Sequence, residues 1–192
     1  MHRLASLWFP PERYGGEPMP AFQFDGRQGV DRFLSAVNLP RQRWYPTVHE
    51  KAAALFRSLV KNHALRDGNK RLGVTALQVF LIVNRVDFKV PQDIIVQAAL
   101  LIADWEGNFP LEWITRWIKA GCTGRPRSLV QELADSWPEF RENLLYESRQ
   151  ADKVAGVRSR IPGRRVRLSR SFVRGMAAAY AEQMSLPLRN GA

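Results

Sequence analysis

The sequence is poor in the residues that cross-link or anchor a chain. It has one cysteine, Cys122, and three histidines among 192 residues. A single cysteine excludes an internal disulfide, and the scattered histidines argue against a structural zinc site. The sequence has no signal-peptide pattern at its N-terminus and no apolar run of the length that spans a bilayer. It also lacks internal repeats and low-complexity tracts. We therefore expect a cytoplasmic protein without a membrane segment.

Acidic residues are also scarce, and the formal net charge is +11. Residues 1–124 carry 16 Lys/Arg against 11 Asp/Glu, whereas residues 125–192 carry 13 against 7. Residues 158–174 contain seven arginines and no acidic residue. A basic excess of this size favours acidic partners, namely nucleic acid, a nucleotide or an acidic protein.

Apolar residues recur at helical spacing through most of the chain. The pattern Thr47-x-x-Glu50 is a capping box and predicts a helix to about residue 62. Residues 74–83 are apolar nearly all round, which predicts a central helix wrapped by other helices. Pro91 and Pro110 each mark the start of a further helix. The predicted fold class is all-α, a helical bundle with short connections.

The two ends of the chain differ from this pattern. Residues 1–29 are rich in proline and glycine, which indicates loops and a short hairpin around residues 21–25. A linker at residues 121–126 divides the chain into a domain at 1–124 and a basic, mostly helical extension at 125–192. Three helices are predicted in the extension, two opened by capping patterns at Ser128 and Ser136 and one over residues 171–183.

The most informative stretch is His-Ala-Leu-Arg-Asp-Gly-Asn-Lys-Arg at residues 63–71. It lies between two apolar helices, so it forms a turn at a helix N-terminus, where backbone N–H groups attract anions. Taken singly, each residue is ordinary turn or surface chemistry. Together they offer a base, a carboxylate for a divalent cation and phosphate-binding groups, which are the parts that phosphoryl or nucleotidyl transfer needs. The candidate residues are His63 as the base, Asp67 as the metal ligand, and Gly68, Asn69, Lys70 and Arg71 as the ATP- and phosphate-binding group.

This stretch resembles the motif of the Fic/Doc superfamily, His-x-Phe-x-Asp/Glu-x-Asn-x-Arg. Lys70, between Asn69 and Arg71, makes it similar to the Doc branch of death-on-curing toxins. Leu65 stands where the family has phenylalanine, a change expected to alter packing more than chemistry. The resemblance covers roughly residues 10–122 and implies a Fic/Doc-like helical bundle.

The resemblance also implies a function. It implies ATP- and Mg²⁺-dependent transfer of a phosphoryl group to a hydroxyl of a protein target, a translation factor, with growth arrest as the outcome. A small N-terminal flap at Tyr14, Gly15 and Gly16 would dock the target. Self-inhibiting members carry Ser/Thr-x-x-x-Glu-Gly/Asn, but here Leu133 follows Ser128-x-x-x-Glu132. We therefore expect a separately encoded antitoxin to control the site.

Two alternatives remain open. The first is AMP transfer to a protein hydroxyl, as in most Fic proteins. The second is a non-catalytic Doc-fold module that binds nucleic acid or a partner through its basic tail at residues 158–174. That tail would otherwise be a solvated extension, and we expect residues 125–192 to be dispensable for the chemistry. The intact His63, Asp67 and Arg71 favour an enzyme.

Overall fold

The computed structural model describes residues 5, 6, 9, 20–124, 127–155 and 168–185. For residues 147–155 and 183–185 the description covers the backbone only. Within these ranges eight α-helices have defined bounds and no strand occurs, so the all-α prediction is confirmed. In chain order the elements are α1 (Gly26–Asn38), a 3₁₀ helix (Leu39–Arg41), α2 (Val48–Lys61), α3 (Asn69–Val83), α4 (Gln92–Asp104), α5 (Leu111–Cys122), α6 (Leu129–Ser136), α7 (Pro138–Ala155) and α8 (Arg170–Ser185).

Helices α2 and α3 form the centre of the bundle, and the turn between them is the motif stretch. The capping box that opens α2 is confirmed: Glu50 N–H donates to Thr47 Oγ1 at 3.2 Å, and Thr47 N–H donates to Glu50 Oε2 at 2.9 Å. The two helices approach closely at Gly73, where an added Cβ would lie 2.7 Å from Val60 Cγ2. A larger residue at position 73 would therefore push α3 away from α2.

Helix α3 is enclosed along most of its length but not at its C-terminal end. Leu72, Val74 and Leu77 are buried, whereas Ile82 and Val83 are 65% and 74% exposed. The prediction of a helix wrapped by others is therefore wrong for its last turn. None of the described helices has the length and hydropathy of a membrane span.

The described part of the extension packs into the same core as the helices before it. Trp105 and Trp113 from the first part meet Trp137 and Tyr180 from the second, and every pair of these four rings has centroids within 6.5 Å. We call these four side chains the aromatic cluster. Further extension residues are buried in the same core, namely Leu129, Leu133, Phe140, Phe172, Val173 and Met176. The division at residue 124 stays a prediction, but it does not separate two cores.

Two local expectations are wrong. Ser136 caps no helix, because it is the last residue of α6 and α7 begins at Pro138, after Trp137. The capping box at Ser128 is confirmed. The expected hairpin around residues 21–25 is absent from the described residues, since Phe24 instead forms an isolated antiparallel bridge with the motif turn.

Candidate active site

The motif turn is closed by one side chain, that of Asn69. Its Oδ1 accepts from the Leu65 N–H at 2.9 Å, and its Nδ2 donates to the Leu65 carbonyl at 2.7 Å. Leu65 is itself 3% exposed and packs with Leu55, Leu59 and Leu72, so its apolar side chain anchors the turn on α2 and α3. The turn is thus held by two kinds of contact, the hydrogen bonds of the Asn69 amide and the packing of the Leu65 side chain in the core.

Gly68 is buried at the start of α3, where the Arg71 side chain and the Phe22 ring lie close to it. It is the N-cap residue with φ +90°, a left-handed conformation that favours glycine. An added Cβ would lie 3.0 Å from Arg71 Nη2 and 3.2 Å from the Phe22 ring. Gly68 has no side chain to cap α3, and no side chain of the described residues accepts a hydrogen bond from its first turn, so this N-terminus has the character of an anion-binding site.

The charged side chains of the motif differ in solvent exposure. Arg71 is 13% exposed and donates through Nη2 to Asp67 Oδ2 at 2.6 Å, while the Asp67 side chain is 82% exposed. Lys70 is exposed, because one residue along a helix turns the side chain by about 100°. The two adjacent cations therefore differ in role. Arg71 contacts the Asp67 carboxylate from its buried side, and Lys70 faces solvent beside the helix N-terminus.

His63 lies at the exposed entrance of the turn. Its backbone has φ +50°, which is uncommon for a residue with a side chain. Its carbonyl accepts a hydrogen bond from Arg32 Nη1 of α1 at 3.3 Å. An exposed imidazole in this position can exchange a proton with a group that approaches from solvent.

The segment before α1 lies along the turn, a contact that the sequence reasoning missed. Asp25 N–H donates to the Ala64 carbonyl at 3.1 Å, and Arg66 N–H donates to the Gln23 carbonyl at 3.0 Å. Helix α1 comes so close that a Cβ on Gly29 would lie 2.3 Å from the Ala64 oxygen. A glycine inside an amphipathic helix was the available signal, since it marks a close approach of another backbone.

A family model describing the Fic/DOC family matches residues 14–81, which include this turn together with α1, α2 and most of α3. Over these residues the chain is similar to the Fic/DOC family. A toxin Doc from Mycolicibacterium smegmatis (strain ATCC 700084 / mc(2)155) is 48% identical over 50 residues, which supports the Doc branch. That segment is 26% of this chain and 38% of the relative, so the match spans well under half of the toxin's length. No solved structure matches the chain.

The Fic/DOC motif fits a nucleotide-bound Mg²⁺ better than a metal held by protein alone. The described residues contain no group of three or more His, Cys, Asp or Glu side chains that could hold a metal. Asp67 Oδ1 accepts no hydrogen bond from the described residues, which leaves one oxygen open beside the Arg71 contact. Mg²⁺ commonly takes one or two carboxylates and completes its shell with phosphates and water. Asp67 fits that pattern.

The remaining candidate residues are only partly described. The predicted flap residues Tyr14, Gly15 and Gly16 lie outside the described residues, as do residues 158–167 of the basic tail. The described chain after the flap, residues 20–25, lies against the motif turn, and residues 168–174 of the basic tail form the start of α8 and the two residues before it. The roles of the six motif residues stay predictions that the geometry does not test directly.

Proposed function

We propose that this protein is a Doc-like toxin that transfers the γ-phosphoryl group of ATP to a hydroxyl of a protein target. The proposed target is a translation factor in the cytoplasm, with growth arrest as the outcome and a separately encoded antitoxin as the control. The order of the motif residues and the similarity to a toxin Doc support this proposal. The similarity to the Fic/DOC family, whose members generally modify proteins by transferase activity, supports the transferase part of the proposal.

In the proposed reaction His63 accepts the proton of the target hydroxyl. The hydroxyl oxygen then forms a bond to the γ-phosphorus, the bond from that phosphorus to the β,γ-bridging oxygen breaks, and ADP leaves. The uncapped N-terminus of α3 receives phosphate oxygens, and Arg71 supplies a planar donor from below. Bound Mg²⁺, held by Asp67, would neutralise charge on the phosphates.

The exposed Lys70 is the feature that favours phosphoryl transfer over AMP transfer. It is exposed on the first turn of α3, at the position where AMP-transferring members of the family carry glycine. A lysine adds a cation on a four-carbon stem to the space that an α-phosphate would need. We therefore expect the nucleotide to bind with its γ-phosphate toward the target hydroxyl.

Labelled ATP tests this orientation. The protein is incubated with cell extract and ATP that carries the label at either the γ or the α position, and labelled protein bands are counted. Label is expected from the γ position only. Transfer from α-labelled ATP would contradict the proposal and would establish AMP transfer instead.

A variant at the deciding residue sharpens the result. Lys70→Gly is expected to lose γ transfer and to gain α transfer. Lys119→Gly, at an exposed position of α5, controls for the loss of about 1 kcal/mol that glycine causes in a helix. Unchanged γ transfer in Lys70→Gly would mean that the lysine plays no part in orienting the nucleotide.

A further inference from the structure

A second surface feature lies at the far end of α2 from the motif turn. Residues 39–46, Leu-Pro-Arg-Gln-Arg-Trp-Tyr-Pro, connect the end of α1 to the N-cap of α2, and we call them the Trp44 loop. Helix α2 has 14 residues, so about 20 Å separate its two ends. The Trp44 loop is therefore distinct from the site proposed for ATP.

The Trp44 loop is held in a defined shape. Its first three residues form a 3₁₀ helix with Pro40 buried, and this helix packs against α2. Gln42 N–H donates to the Leu39 carbonyl at 3.0 Å, and Tyr45 N–H donates to the Gln42 carbonyl at 3.3 Å. A loop with buried anchors and internal hydrogen bonds presents its side chains without a large ordering cost.

Trp44 differs from the other described tryptophans. Its side chain is 67% exposed, whereas Trp105, Trp113, Trp117 and Trp137 are all at most 6% exposed. The edge-on ring of Tyr45, with centroids 6.2 Å apart and planes at 69°, supports the indole from one side. Trp44 therefore offers an indole surface to solvent on a fixed base.

The charged side chains of the Trp44 loop itself are both basic. Arg41 and Arg43 are exposed, and neither forms an ion pair or hydrogen bond through its side chain within the described residues. Residues 39–46 contain no acidic residue. Trp44 is the one exposed large apolar side chain in this loop, whereas a protein-binding surface centred on tryptophan normally has further apolar neighbours.

We propose that the Trp44 loop binds single-stranded nucleic acid, with one base stacked on the Trp44 indole and adjacent phosphates on Arg41 and Arg43. An aromatic side chain between cations is the combination that binds single strands without reading sequence. The loop is separate in sequence from the basic stretch at residues 158–174, so substitutions can test the two independently.

The test measures fluorescence anisotropy of a labelled ten-nucleotide oligothymidylate and of an abasic strand of equal length, each with the full chain and with Trp44→Ala. Stacking contributes about 1–3 kcal/mol per base, so Trp44→Ala is expected to weaken binding of the oligothymidylate by about 5- to 150-fold. The full chain is expected to bind the abasic strand more weakly by the same factor. Trp44→Ala is expected to bind both strands equally, and Trp44→Phe is expected to retain most of the difference.

The arginine contacts have their own readout. Each phosphate contact contributes about 0.7 to the slope of log affinity against log salt for a single strand, so Arg41→Gln with Arg43→Gln is expected to lower that slope by about 1.4. Arg116→Gln, at an exposed position of α5, is the control and should leave the slope unchanged.

Three outcomes would overturn the proposal: no binding of either strand, equal binding of both strands by the full chain, or a persistent difference between them in Trp44→Ala. Equal binding that depends on the arginines would mean a contact for any polyanion, an acidic protein included. Circular dichroism of each variant confirms that the fold is retained.

Discussion

The motif turn and the aromatic cluster are held together by different physics. The turn presents the exposed side chains of His63, Asp67 and Lys70. Its side-chain hydrogen bonds, those of Asn69 to Leu65 and of Arg71 to Asp67, join residues four positions apart. Two rings of the aromatic cluster come from the residue after α4 and from α5, and two come from the extension. Burial and ring contacts hold them together over long sequence separation.

This difference predicts opposite responses to substitution. Exposed side chains of the turn, such as His63 and Lys70, can change with little loss of folding free energy but with large effects on chemistry. Residues of the aromatic cluster can affect chemistry only through the fold. The following experiments separate the two regions, from the largest expected effect to the smallest.

Removal of residues 125–192 is expected to abolish cooperative folding. It deletes Trp137 and Tyr180 from the aromatic cluster and exposes Trp105 and Trp113. Loss of one large buried aromatic costs about 3–5 kcal/mol, against a total stability of about 5–15 kcal/mol for a domain. The measurement is thermal unfolding by circular dichroism, with dye binding to exposed apolar surface. This reverses the expectation from composition that the extension is dispensable, and a truncated chain that melts cooperatively and transfers label would restore it.

His63→Ala is expected to reduce transfer by about 10²- to 10⁴-fold, which is the typical contribution of a general base. Its melting temperature should stay close to that of the unaltered protein, because the side chain is exposed. Transfer of labelled phosphate and relief of growth inhibition are measured in parallel. His49→Ala, in the first turn of α2, is the control and should keep both activities. Full transfer by a soluble His63→Ala variant would remove histidine from the mechanism.

Tyr180→Phe tests the aromatic cluster by pH and has the smallest expected effect. Burial raises the pKa of the Tyr180 phenol, and the nearby Glu112 carboxylate raises it further. The raised folded-state pKa gives a stability contribution that is complete below the ordinary tyrosine pKa of about 10 and is lost as pH rises through the folded-state value. The melting temperature of Tyr180→Phe should therefore fall less steeply than that of the unaltered protein between about pH 9 and about pH 11. Tyr146→Phe, at an exposed position of α7, is the control, and identical slopes for both variants would contradict the assignment.

The predictions made from the sequence also differ between local and long-range features. The capping boxes at Thr47 and Ser128 were predictable because each bond joins residues three positions apart. The turn at residues 63–71 was predictable because glycine, asparagine and flanking apolar runs determine it locally. The cap assigned to Ser136 failed because Trp137 is buried with the aromatic cluster, and this long-range contact places the break between α6 and α7.

By itself, the sequence determined the helical class, the position of the motif turn at the start of α3 and the chemical groups available there. Only the tertiary structure decided that the mostly buried Arg71 contacts Asp67 while Lys70 faces solvent. It also decided that the backbone before α1 pairs with the turn. It also decided that the extension completes the core and that Trp44, alone among the described tryptophans, stays at the surface. Patterns within a few residues encode local hydrogen bonds, whereas burial depends on which distant side chains arrive at the same place.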